Sequence, residues 1–402
     1  MTITPPSDTF QGDFSTMWSL GLREPLRHLT WDWWWWLVML DDPDGAPWGK
    51  QLMVLWSTKD NDFVSVNGTP WTPKGRPGND NQGATILDGM VCAWWFDGER
   101  IIEPYIKRTC HMVAMDDTHP AWPRSHVSGS GGGAVVPLLN EDLSMGLNSD
   151  RKSFWLNLLG DDEAVSHGAP KAMKLTMTPW NPAMSVARPS TATYAASMGY
   201  DILRVHGTKV HGTIDGEDVS GTAYFQKVCV QAPSPPWYWG VLHFDDGSYM
   251  DWFLPHLSPT MTSRTPKPWK RRDIQHIGLS QGGLFHDAQH QRTERFARVK
   301  VRKSSSSRTE GRHGQNPGSP LPVFRVEMWN GRTRIEMTVE AVDRAHWHFD
   351  QPTIGGVWSH LTYNEYPLRL VRLSIVDEFG ERSHGDYRWA RGNAEHAWGM
   401  LF

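Results

Sequence analysis

Residues 30–40 read Thr-Trp-Asp-Trp-Trp-Trp-Trp-Leu-Val-Met-Leu, with four consecutive tryptophans at positions 33–36. Successive side chains on a strand point to opposite faces. Asp32, Trp34, Trp36 and Val38 therefore share one face, and Trp31, Trp33, Trp35 and Leu37 share the other. Indoles on both faces require two apolar environments. One is expected to be a packed core. The other fits an aromatic-lined cavity, with the Asp32 carboxylate pointing the same way as Trp34 and Trp36. The run is far shorter than the roughly 18 apolar residues of a membrane-spanning helix.

The remaining strand signals are of the same kind. Residues 334–342 alternate, with Ile335, Met337, Val339 and Ala341 on one face. Residues 90–96 end in the Asp97-Gly98 turn, and residues 368–376 alternate again. Convincing amphipathic helices are scarce. Many short strands separated by Gly, Pro and Asp predict an all-β chain of antiparallel barrels or sandwiches with long loops. At 402 residues the chain is comfortable as two domains. The boundary is expected near residue 200, giving units 1–200 and 201–402. The aromatic hairpin of residues 237–253 echoes that of residues 31–56, as two related β-domains would.

Composition narrows the function. The 23 tryptophans supply large apolar surfaces, each with one N–H that needs a partner when buried. They suit flat ligand walls, β-cores or an interface. Three cysteines form neither a disulfide framework nor a metal motif, and fit a reduced, cytoplasmic setting. Residues 1–8 lack the basic and apolar regions of a signal peptide. Residues 264–312 carry 13 Lys and Arg against 4 Asp and Glu, a local excess of +9 in a chain of net charge −4. Such a stretch can touch an anionic membrane surface. No nucleic-acid motif accompanies it, so nucleic acid is not expected as a partner. Residues 290–320, with four consecutive serines and several Gly and Pro, read as a mobile basic loop. No phosphate loop, dinucleotide fingerprint, nucleophile elbow or His-Glu-x-x-His motif is present, and no cofactor is implied. His346 and His348 share a strand face and could touch a metal, but an ordinary surface pair explains them and no metal site is expected.

The most informative block is residues 211–227, His-Gly-Thr-Ile-Asp-Gly-Glu-Asp-Val-Ser-Gly-Thr-Ala-Tyr-Phe-Gln-Lys. Residues 236–247, Pro-Trp-Tyr-Trp-Gly-Val-Leu-His-Phe-Asp-Asp-Gly, follow it. Together they resemble the lipocalin-like family of hydroxyneurosporene synthase (carotenoid 1,2-hydratase) and AttH proteins. In that family an Asp-Gly turn leads to a Gly-x-Gly/Ala-Tyr strand and then to an aromatic strand ending in Asp-Gly. Residues 361–367 and 391–399 look like its closing strands, and the tryptophan run looks like its first. The resemblance implies two lipocalin-like domains around a cavity for an apolar ligand. It also implies hydration, cyclisation or isomerisation of an isoprenoid or polyene. Adding water to an isolated alkene starts with protonation to a tertiary cation. That step needs an acid held neutral in an apolar site and aromatic faces to stabilise the cation.

The hydratases place an aspartate two residues after the motif tyrosine. Here Tyr224 is followed at that spacing by Gln226, an amide that can orient a ligand but cannot act as the acid. The candidate catalytic residues are therefore Asp32, Tyr224, Gln226, His243 and Glu395. Asp245 and Glu365 are further carboxyls, Asp245 being placed in a hairpin turn. Trp34, Trp36, Trp237, Trp239, Tyr363 and Trp398 are expected to contact substrate. Gln226 equally suits a non-catalytic carrier or assembly factor for a pigment, quinone or lipid. A third reading puts the tryptophans at a protein interface.

Overall fold

A computed structural model describes residues 26–42, 45–73, 78–79, 85–115, 132–135, 142–147, 153–179, 190–233, 236–257, 277–278, 280–311 and 317–401. In chain order its strands are β1 (Thr30–Leu40), β2 (Lys50–Lys59), β3 (Val64–Val66), β4 (Thr69–Trp71), β5 (Gly78–Asn79), β6 (Thr85–Phe96), β7 (Ile101–Met115), β8 (Gly132–Val135), β9 (Ser144–Leu147), β10 (Phe154–Leu159), β11 (Ala172–Pro179), β12 (Ser190–Thr193), β13 (Gly199–Ile214) and β14 (Glu217–Gln231). They continue with β15 (Trp237–Phe244), β16 (Tyr249–Leu257), β17 (Ile277–Gly278), β18 (Gly282–Asp287), β19 (Arg292–Phe296), β20 (Arg298–Thr309), β21 (Pro320–Trp329), β22 (Arg334–Ala341), β23 (Ala345–Pro352), β24 (Trp358–Asp377), β25 (Gly380–Ser383) and β26 (Ala390–Leu401). Among the described residues one short α-helix, α1 (Asp162–Ser166), interrupts them. Among the described residues no helix is long and apolar enough to cross a membrane.

The fold is all-β, as its alternation predicts. The strands form two curled antiparallel sheets. The first runs β11-β10-β9-β8-β7-β6-β2-β1-β14-β13-β12, and pairing of β11 with β13 closes it into a barrel. The second runs β19-β18-β16-β15-β26-β24-β22-β21-β20. The change of sheet falls between Gln231 and Trp237, not at residue 200. Residues 201–231, placed by sequence in the second unit, complete the first sheet because β14 pairs along all of β1. The hairpin β3–β4 crosses the other way, joining β23 of the second sheet. The stretch read as a mobile basic loop is largely sheet. Val299 and Val301 turn into the second sheet's core, Arg, Lys and Ser alternate outward, and β20 pairs with β21 through residues 298–305. Residues 258–276, with the start of the basic stretch, lie outside the described residues.

Three apolar layers result. Trp34, Trp36, Val38 and Leu40 fill the closed barrel with Trp56, Trp95, Phe154 and Phe225. Trp31, Trp35, Leu37 and Met39 point out of the barrel and are covered by Trp239, Trp347, Phe349 and Tyr363 of the second sheet. The third layer lies inside the second sheet around Tyr238, Trp252, Phe324 and Tyr366. Both faces of the tryptophan strand are thus buried, which explains its unbroken apolar character. Gly240 serves the third layer, since a Cβ there would sit 2.1 Å from the Trp252 ring.

Candidate functional site

The cleft lies in the middle layer, between the sheets. Trp31 and Trp33 of β1, Tyr200, Ile202 and Arg204 of β13, and Gln226, Val228 and Val230 of β14 form one wall. Trp237 and Trp239 of β15, Phe253 of β16, Phe349 and Gln351 of β23, Leu361 and Tyr363 of β24, and Glu395 of β26 form the other. Leu55 and Lys59 of β2 line it as well. Aromatic and aliphatic surface dominates, with few polar groups, as expected of a site for an apolar ligand.

Strand order brings the key carboxyl group to this wall. β15, β26 and β24 are neighbours, with Trp239 opposite Glu395 and Tyr363 opposite Ala397. Glu395 Oε2 accepts a hydrogen bond from Trp237 Nε1 at 2.7 Å, and its Oε1 accepts one from the Tyr363 hydroxyl at 2.6 Å. Burial raises its proton affinity to about 7, against these two donors, which favour the charged form. Glu365 lies directly opposite on β24 and is fully buried, its Oε2 accepting from the indole N–H of Trp94. Burial first, and the neighbouring Glu395 second, push it well above the usual carboxylate range. Two carboxyls facing each other in an apolar layer do not both ionise at neutral pH.

Gln226 lines the opposite wall and accepts from the Tyr224 hydroxyl at 3.5 Å. Tyr224 stands behind it, packed edge-on against Trp35 at 5.7 Å and tilted against Trp239 at 5.1 Å. Burial raises its phenol strongly. Arg204 lies 3.8 Å from Asp251, which also meets His206 Nε2 at 3.2 Å. Lys59 donates to Gln351 Oε1 at 2.7 Å, with Nζ 3.7 Å from the centroid of the Trp31 ring. Burial pulls its ammonium down to about 7, opposed by Cys92 and Asp350.

Of the residues expected from sequence, Gln226, Glu395, Trp237, Trp239 and Tyr363 converge on the cleft, with Tyr224 behind Gln226. Others do not. Asp32 is on the opposite face of the sheet, inside the barrel, where its carboxylate pairs with Lys227. Lys227 is diagonal to it on β14 and lies 4.7 Å from the Trp34 ring centroid. Asp32 and Gln226 therefore share no cavity. Trp34 and Trp36 are barrel core rather than cleft wall, and it is the odd-numbered face, Trp31 and Trp33, that meets the cleft. His243 is buried outside the cleft, between Thr222 Oγ1 at 2.9 Å and the His206 carbonyl at 2.7 Å. Burial lowers its imidazole to about 3, so it stays neutral. Asp245 sits beyond the end of β15 and binds Arg388, as a turn residue does. The side chain of Trp398 lies outside the described residues. His346 and His348 are not a surface pair: their rings are 5.5 Å apart and His346 is buried. Among the described residues no group of three or more ligating side chains could hold a metal ion.

Sequence reasoning missed Lys59, Arg204, Gln351, Trp31 and Trp33 as cleft residues. Lys59 left a signal, since it continues the alternation Met53, Leu55, Ser57 on the face that is otherwise buried.

No protein-family model matches the chain, and no curated protein matches it. Among solved structures it is similar to a protein assigned as AttH from Nitrosomonas europaea, with 13% identity over 92% of this chain and 92% of that one, and a TM-score of 0.47. It is also similar to kievitone hydratase from Nectria haematococca, with 10% identity over 98% and 97% of the two chains and a TM-score of 0.40.

Proposed function

We propose that this chain is a hydratase-like enzyme that seats an apolar isoprenoid or polyene in the inter-sheet cleft and protonates it with Glu395. The observation that carries this reading is a buried carboxyl on an aromatic wall, fixed by Trp237 and Tyr363 and holding its proton up to a pH of about 7. A neutral carboxylic acid in an apolar site is the group alkene protonation requires. The proton adds to the less substituted alkene carbon and leaves a tertiary cation. Trp237 and Trp239, which line the cleft, stabilise it through their rings. A water molecule held by Gln226 then adds to the cation, and its excess proton returns to the Glu395 carboxylate. Burial keeps the Glu395 acid loaded, and when Glu395 ionises its charge holds the Glu365 carboxyl opposite in the neutral form.

The test uses water enriched in the heavy oxygen isotope and apolar substrates bearing a trisubstituted alkene. A labelled tertiary alcohol is expected, and Glu395→Gln is expected to slow its formation by about 10²–10⁴-fold while ligand affinity changes little. Equal rates in the two proteins would remove Glu395 from the chemistry.

A second reading, a carrier for such a ligand, is favoured by Gln226 at the position where the hydratases have their acid, and by the engagement of both Glu395 oxygens. It predicts that the same ligands bind and are recovered unchanged.

A further inference from the structure

The cleft contains one nucleophile that alkene protonation leaves unused. Lys59 is the last residue of β2 and is fully buried. Its Nζ lies 3.7 Å from the centroid of the Trp31 ring and 4.9 Å from that of Phe349. Its hydrogen-bond partner among the described residues is an amide oxygen, Gln351 Oε1 at 2.7 Å, and not a carboxylate. A lysine serving as a structural cation is normally buried with an anion, because an uncompensated ammonium in an apolar layer is costly. The faces of the Trp31 and Phe349 rings and the Asp350 carboxylate favour the ammonium, but burial outweighs them and lowers Lys59 to about 7, so the neutral amine is populated above that pH. In the neutral form one N–H serves Gln351 and the nitrogen lone pair remains. Lys59 also lines the same apolar cleft as Trp31, Phe349 and Glu395.

We propose that Lys59 is a covalent capture site for an apolar aldehyde, binding it as an imine. The amine lone pair attacks the carbonyl carbon, a C–N bond forms, and the carbonyl π pair moves to oxygen, which takes a proton. The carbinolamine then loses its hydroxyl with a proton as water, and the nitrogen gives up its remaining proton to solvent. The balance is one aldehyde and one amine to one imine and one water, with no change in oxidation state. The inference rests on the cleft accepting an apolar ligand, the premise of the proposed function, and is independent of proton transfer from Glu395.

The experiment exposes the intact protein, at a pH above the Lys59 pKa of about 7, to decanal or to citral with cyanoborohydride, which reduces an imine to a stable secondary amine. Intact-mass and peptide mass spectrometry then locate the adduct. A single adduct on Lys59 is expected, blocked by excess decan-1-ol, lost in Lys59→Met and Lys59→Arg, and retained in Glu395→Gln. Reaction with decanal, citral or both separates a fatty from an isoprenoid aldehyde as the preferred chain. The decan-1-ol block is read in the wild-type protein, so the test stands even where a Lys59 variant fails to fold. Adducts spread over exposed lysines and unaffected by decan-1-ol would overturn the proposal. So would binding of decan-1-ol without any adduct, which leaves the cleft reading intact. Absence of both binding and adduct would overturn the cleft reading together with it.

Discussion

Replacing Glu395 by glutamine should change stability in a direction that depends on pH. In the folded protein the carboxyl holds its proton up to about 7, against an ordinary value of 4.5. A raised carboxyl contributes stability that is fully present below the unfolded value and is lost as pH rises through the folded one. The window is therefore from about 4.5 to about 7. At about 1.4 kcal/mol for each tenfold change in proton affinity, the loss across it is about 3 kcal/mol. Glutamine has no proton to lose, so the variant lacks this slope. It can still accept from one of Trp237 and Tyr363, but its amide N–H₂ faces the other, at a cost of about 1 kcal/mol. Below pH 4.5 the variant should be the less stable protein by about 1 kcal/mol, and above pH 7 the more stable by about 2 kcal/mol. Burial, the larger cause of the raised Glu365 carboxyl, is present in both proteins, so Glu365 stays neutral in both across this window and cancels to first order. Urea unfolding at a series of pH values, read as the difference between the two proteins, measures this directly. A difference that stays flat between pH 4.5 and 7 would refute the reasoning, since it would give Glu395 an ordinary proton affinity.

Three further outcomes follow from the placement of other side chains. Trp36→Ala removes a fully buried barrel-core indole and should cost about 3–5 kcal/mol in urea unfolding, whereas Trp33→Ala, a half-buried cleft residue, should cost far less and weaken binding of an apolar fluorescent ligand. Lys227→Met leaves Asp32 as an uncompensated buried charge and should destabilise by about 3–5 kcal/mol, with much of the loss recovered when Asp32→Asn is added. Gly240→Ala places a methyl group against the Trp252 ring and should destabilise by about 1–3 kcal/mol, without altering ligand affinity in a binding titration.

The alternation of residues 31–40 carried real structural content: two faces, both apolar. It could not say which face lies inside a barrel, because that depends on β11 closing onto β13, a pairing between residues far from β1 in the chain. Asp32 looked like an acid among indoles for the same reason, since its partner Lys227 is visible only once β14 is registered against β1. A lysine within the apolar run Phe225-Gln-Lys-Val-Cys-Val230 was the available hint. The serine run at 304–307 read as loop because serine is a weak strand former, yet pairing with β21 overrides that preference. Glu395, Trp237 and Tyr363 were each singled out by residue type and motif, but their meeting requires β26 to lie between β15 and β24. Alternation along β2 marked Lys59 as buried but not which cavity its face lines, and Arg204 carried no such mark.

The central claim is that Glu395 keeps its proton near neutrality inside a cleft that takes an apolar ligand. Carboxyl carbon NMR with labelled glutamate tests it most directly, comparing wild type with Glu395→Gln across the pH range and with and without an apolar alkene. The expected resonance titrates near 7, is missing in the variant, and moves to still higher pH when the ligand displaces water from the cleft. A Glu395 resonance that titrates near 4.5 and ignores the ligand would contradict it.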